Sequence, residues 1–158
     1  MAFARKNKAV VETNHVSAVR TGNIKAQYPI AVDVENGMAM TVNDATKTMA
    51  LAGIADDVLY LHASEEQVYE EHLGRNSFYI KAGNYPKALK LEVGDIFETN
   101  ALAVGEITYA AADKLVPVAG VWTIATTGQS AKAVIVELVT LPNGEAGAKI
   151  AIIKPVTV

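Results

Sequence analysis

Residues 90–107, KLEVGDIFETNALAVGEI, restrict the fold of this chain more than any other stretch. Leu91 and Val93 alternate with polar neighbours, Gly94 and Asp95 interrupt them, and Ile96 and Phe97 resume the apolar run. Polar Glu98, Thr99 and Asn100 follow, then an apolar run over 101–104 that ends at Gly105 and Glu106. Alternation with period two places one set of side chains on each face of a strand, and glycine beside an acidic residue supplies turn chemistry. The same pattern of short strands and tight turns returns at Val121 and Trp122 and over 134–139.

Taken in order, the rest of the chain extends this pattern. Residues 1–14 read as a mildly basic N-terminal arm carrying Phe3, Arg5, Lys6 and Lys8. Such a stretch is either a frayed terminus or an arm that orders on a partner, with Phe3 as anchor and the cations facing acidic neighbours. Residues 16–20 read as a short strand. Over 29–35, Ile30, Val32 and Val34 share one face, and Met38, Met40 and Val42 alternate beyond Asn36 and Gly37. An Asn-Gly pair between two alternating runs predicts a type I′ hairpin, because both central residues need positive φ. Residues 57–63 are apolar on both faces, which predicts a strand buried on both sides. Ser64 and Gln67 fit a capping box for one short helix over 65–73, closed by Gly74.

Beyond the central stretch, residues 110–114 resemble a helical turn, and 115–118 with Pro117 suit an edge strand, since proline cannot donate to a ladder. Residues 120–125 form a strand with Trp122, and 131–141 and 148–156 form the arms of a hairpin turning at Pro142, Asn143, Gly144 and Glu145. The predicted fold is mainly β: a small β-barrel or sandwich over 15–158 with one short helix and a flexible N-terminal arm over 1–14.

Composition narrows the function classes. A length of 158 residues fits a single domain, and a net charge of −3 argues against a general nucleic-acid surface. Apolar residues make up 51% of the chain but aromatics only 6%, so the apolar content is largely Ala and Val. Small side chains of this kind suit thin β-layers or surfaces that are covered in an assembly. With no cysteine, disulfides, thiolate metal sites and cysteine nucleophiles are excluded. The first residues carry no apolar run of signal-peptide length and no segment approaches a membrane span, so the chain is expected to be made and used in soluble form.

No constellation points to catalysis, and the expectation is a protein that is not an enzyme, with no cofactor and no metal. Asp56 and Asp57, Glu65 and Glu66, and Glu70 and Glu71 are adjacent pairs, and neighbours on a strand or helix point apart. The spacing of Glu70, Glu71 and His72 is likewise wrong for a helical metal site. His62, on the Val58 and Tyr60 face, reads as a hydrogen-bonded core or rim histidine.

Two stretches together carry a resemblance. The Val93-Gly94-Asp95 turn followed by an apolar strand, and the later LVPVAG (115–120) leading through 122–125 to 134–137, resemble the small β-barrel capsid decoration (cement) and head-stabilising proteins of tailed bacteriophages. The resemblance covers residues 89–139 in pattern and the remainder in composition. It implies a structural virion protein, made in the host cytoplasm, that sits on the outer capsid surface, often as a homotrimer, and clamps subunits of the major capsid protein. The arm residues Phe3, Arg5, Lys6 and Lys8 would then be partner contacts. The competing class is a β-sandwich binding module for carbohydrate or a host surface, in which Trp122, Tyr109, Tyr85 and Tyr79 form an exposed platform. The two separate on exposure: a buried Trp122 favours the structural protein, a solvent-facing one the module.

Overall fold

A computed structural model describes residues 3–64 and 78–158. Eleven strands among them form two antiparallel sheets. The larger sheet contains β1 (Val11–His15), β7 (Ile96–Thr99), β11 (Ala146–Thr157), β10 (Ser130–Thr140), β8 (Lys114–Val118) and β9 (Val121–Ile124), side by side in that order. The smaller contains β2 (Ile24–Lys25), β6 (Ala88–Lys90), β5 (Tyr60–His62), β3 (Ala39–Asn43) and β4 (Thr48–Leu51), again in spatial order. Among the described residues both sheets remain open at their edges, so the architecture is sandwich-like rather than a closed barrel.

The core lies between the sheets. Ala39, Leu61 and Leu89 from the smaller sheet pack with Phe97, Leu115, Trp122, Ala133, Ile135, Ala148 and Ile150 from the larger. Inward positions on β10 and β11 follow the period-two pattern, and their alanines let the layers approach closely. Trp122 and Phe97 supply the bulk, with ring centroids 5.8 Å apart. Their full burial concentrates apolar contact in a chain with few aromatics.

Several predicted strands and turns stand as read. The hairpin of β10 and β11 turns at 142–145, and β9 carries Trp122. The strand expected over 57–63 narrows to β5, which is buried at all three positions, while Val58 lies outside it and is exposed. The central stretch has a different role from a simple meander, because β6 ends at Lys90 in one sheet and β7 starts at Ile96 in the other. The turn at Val93 and Gly94 is thus a crossing between layers.

The Asn36-Gly37 hairpin does not form. Among the described residues, 29–35 make only single bridges, Ile30 to Met49 and Val34 to Ile80, and β3 instead pairs forward with β4. That turn is built on Asn43, whose Oδ1 accepts from the N–H groups of Ala45 and Thr46 at 3.0 and 3.1 Å. Asn36 is taken by a tertiary contact: its Nδ2 donates to the Ser64 carbonyl at 3.1 Å and its Oδ1 accepts from the Ser64 N–H at 2.9 Å.

Residues 16–20 are also not a strand. Helix α1 (Ser17–Thr21) occupies this stretch and ends at Gly22, which adopts φ 73°. Val16 has no side-chain cap to offer, and Asp95 supplies one from the larger sheet: Oδ1 accepts from the Ser17 N–H at 2.9 Å, and Oδ2 from the Ser17 hydroxyl at 3.1 Å. β8 lies inside its sheet rather than at the edge, yet β10 pairs only with Lys114 and Leu115. Pro117 falls beyond that pairing, where no ladder hydrogen bond is needed. Residues 111–112 form a turn with Ala112 at φ 72°, and β8 already begins at Lys114, so no helical turn spans 110–114. The predicted helix over 65–73 lies outside the described residues.

Gly37 shows why glycine is required at one position. Its φ is +85°, and an added Cβ would lie 1.9 Å from Thr99 Oγ1. Gly144 also has positive φ, but open space surrounds it. Gly37→Ala is expected to lower stability by roughly 3 kcal/mol, from overpacking added to backbone strain, and Gly144→Ala by about 1 kcal/mol, from backbone strain alone. Urea midpoints compare the two; equal losses would remove the close approach at Gly37 as the dominant constraint.

Candidate functional site

The four residues marked as partner contacts lie on a segment that runs along the body of the domain. Phe3 N–H donates to the Ile107 carbonyl at 3.1 Å, and the Phe3 carbonyl accepts from Gly105 N–H at 3.3 Å. The Phe3 ring meets Tyr109 edge-on at 5.7 Å. Arg5 Nη1 lies 3.0 Å from Glu35 Oε2, and Lys8 Nζ lies 3.3 Å from Glu35 Oε1 and 4.7 Å above the Tyr79 ring. The acidic neighbour expected for these cations is therefore on the same chain. Lys6 differs: its backbone N–H is held by Glu145 at 3.2 Å, while the residue itself is exposed.

Two carboxylates organise this segment. Glu35 also accepts from Ala9 N–H at 2.7 Å. Glu145 Oε1 accepts from Asn7 N–H at 3.2 Å and Asn7 Nδ2 at 2.8 Å, and its Oε2 accepts from Asn100 Nδ2 at 2.8 Å. Asn100 Oδ1 receives Val10 N–H at 2.8 Å, and the Thr99 hydroxyl donates to the Val10 carbonyl at 2.7 Å. β1 then joins the larger sheet through β7, so the sheet crosses the expected boundary between residues 14 and 15. Glu35 and Glu145 gave no signal in the sequence, because each looks like a turn-flanking acid until its partners are known.

The aromatic platform is not assembled. Trp122 is fully buried, with Nε1 donating to the Gly37 carbonyl at 3.0 Å. Tyr109 is buried and its hydroxyl donates to the Ala103 carbonyl at 3.0 Å; burial, above all, raises its pKa above the usual tyrosine range. Tyr85 is exposed, but neither Trp122 nor Tyr109 reaches the surface beside it.

His62 is fully buried on β5. One ring nitrogen, Nε2, lies 2.7 Å from Ser64 Oγ, which also accepts from Lys87 N–H at 3.0 Å. Among the described residues, Nδ1 has no hydrogen-bond partner. Burial pushes the imidazole pKa down to about 4; the Glu35 backbone opposes the shift without reaching hydrogen-bond geometry. His15 is exposed on β1, in a shallow depression shared with Glu12, Glu98 and Lys149. His72 and the acid pairs at 65–66 and 70–71 lie outside the described residues. Asp56 and Asp57 diverge: Asp56 Oδ2 accepts from Gly53 N–H at 2.7 Å, whereas Asp57 reaches Lys132. Among the described residues, no group of three His, Asp or Glu side chains is placed to hold a metal ion.

No protein-family model, curated protein or solved structure matches the chain.

Two measurements probe this region. Glu35→Ala leaves the Ala9 N–H and a partly buried Arg5 guanidinium without their acceptor, and is expected to cost about 2 kcal/mol. Trypsin cleavage after Arg5, Lys6 and Lys8 should accelerate in that variant; an unchanged rate would detach Glu35 from the ordering of the segment. For His62, the folded-state pKa lies below the unfolded value near 6.5, so the unfolded chain takes up the proton first. Stability is complete above pH 6.5 and falls as pH drops toward 4, by roughly 3 kcal/mol from this group. His62→Gln should flatten the fall in urea midpoint across that window, and an identical slope in both proteins would refute the assignment.

Proposed function

We propose that this chain is a structural virion protein that binds the outer surface of a phage capsid as a homotrimer and stabilises contacts between major capsid subunits. The observation that supports the reading best is the far end of the β10–β11 ribbon. Among the described residues, no strand pairs with the outer edge of β10 beyond Ile135. Val136 and Leu138 are exposed on this stretch. An unpaired edge with apolar side chains is a template for strand addition by another chain, with backbone hydrogen bonds supplying affinity and side chains supplying specificity. A protein whose ribbons engage neighbouring subunits of an assembled shell stabilises that shell by mass action. The burial of Trp122 and Tyr109 removes the platform on which the carbohydrate-module reading depended.

Light scattering on the full chain is expected to give three times the 16.7 kDa monomer mass. Val136→Lys combined with Leu138→Lys should reduce co-sedimentation with expanded shells of the cognate phage by about tenfold, with fold stability changed by only about 0.5 kcal/mol per exposed site. Failure of the unsubstituted chain to sediment with those shells overturns the reading. Full retention by the double variant removes the ribbon from the interface.

A further inference from the structure

The mouth of the sandwich holds a cleft whose chemistry is unrelated to the ribbon. Lys132 sits among small apolar residues on β10, and only 4% of its surface is exposed. Opposite it the ladder is broken. Ala131 pairs with Val156 and Ala133 with Ile152, so β11 bulges outward through residues 153–155. Pro155 lies in that bulge, where its missing N–H sacrifices no ladder bond. Lys132 therefore borders a cleft of about 220 Å³ between the two sheets, which Asp57, Val58, Leu91, Val93 and Ile152 help to line.

The ammonium group is poorly satisfied for so buried a charge. Lys132 Nζ donates to Asp57 Oδ1 at 2.6 Å, its one hydrogen bond among the described residues, although an ammonium carries three donors. The Asp57 side chain is 82% exposed, so the counter-ion belongs to the surface while the cation belongs to the interior. Lys132 in turn holds the Asp57 carboxyl below the usual carboxylate range. Exchange of the loop carboxylate for another anion of equal charge keeps a partner on the buried cation, and desolvation of the lysine is already incurred in the fold. Apolar surface surrounds the exchange point: Val58 and Val93 are 58% and 64% exposed at the rim, and Leu91 and Ile152 form the inner wall.

We propose that this cleft binds a small organic monocarboxylate, its headgroup on Lys132 Nζ in place of Asp57 and its hydrocarbon tail against Val58, Val93 and Ile152. A single negative charge fits the balance of the site. Lys90 and Glu92, 3.3 Å apart, offset one another, so displacement of Asp57 leaves one positive charge, on Lys132, for an incoming anion to balance. A dianion such as phosphate would exceed the one positive charge that displacement of Asp57 frees. The cleft is smaller than the usual range for drug-sized ligands, which restricts the tail to a few carbons.

The experiment is a titration of the full chain with sodium butanoate, followed by amide chemical shifts, with sodium chloride balancing ionic strength. Saturable shifts are expected at Val58, Leu91, Lys132 and Ile152. Asp57→Asn removes the internal competitor from an exposed site and should tighten binding about tenfold. Lys132→Gln should abolish it, and butanol should bind at least about tenfold more weakly than butanoate. The proposal is overturned by absence of saturable shifts in both the unsubstituted chain and Asp57→Asn, or by equal binding of butanol. It is overturned equally by looser binding in Asp57→Asn. Asn at position 57 keeps an oxygen that can accept from Lys132 Nζ, so that variant keeps the test decisive even where Lys132→Gln does not fold.

Discussion

The two layers are joined at the Gly37 backbone. Its carbonyl accepts the buried Trp122 indole N–H, and its own N–H donates to the His62 carbonyl at 2.8 Å. Both groups would otherwise be unpaired in the core, at a cost of about 1–3 kcal/mol each. The approach is so close that no Cβ fits beside Thr99. Thr99 in turn donates its hydroxyl to Val10, so a side chain at position 37 would also displace the group that holds the N-terminal segment. Gly120 reinforces the junction from the larger sheet, accepting Ala39 N–H at 2.7 Å and donating to the Ala52 carbonyl at 2.9 Å.

Carboxylates extend this stitching outward. Asp95 ties α1 to the start of β7 and also accepts Glu92 N–H at 2.8 Å, closing the crossing between the sheets. Glu35 and Glu145 do the same for residues 5–9. In each case a carboxylate oxygen takes backbone donors that, among the described residues, have no partner in a sheet or helix, and charge-assisted hydrogen bonds are the stronger kind. The small apolar side chains of this protein provide little lateral grip of their own. Polar contacts of long sequence separation therefore decide where its irregular segments lie.

The parts legible in the sequence are those whose neighbours are close along the chain. The β10–β11 hairpin, the strand bearing Trp122 and the doubly buried β5 were readable because alternation and turn residues act over a few positions. Asn36 and Gly37 carried the strongest local turn signal and still misled, since Asn36 pairs with Ser64 and Gly37 serves a close approach to Thr99. Residues 16–20 looked extended because their cap is Asp95, 78 positions away from Ser17. The candidate cleft was equally hidden: only the lysine within an alanine-rich strand marked it, and Asp57 is remote from Lys132 in sequence.

Period-two patterning, scarce aromatics and the absence of cysteine were thus sufficient for a mainly β domain without disulfides or thiolate chemistry. Those properties depend on individual side chains and their near neighbours. Division of the strands between two sheets, the folding of Phe3, Arg5 and Lys8 onto the body, and the burial of a lysine against a surface aspartate depend on contacts between distant segments. Each such contact carries a loop-closure entropy cost that a local pattern does not encode, and only the complete packing of the core offsets it.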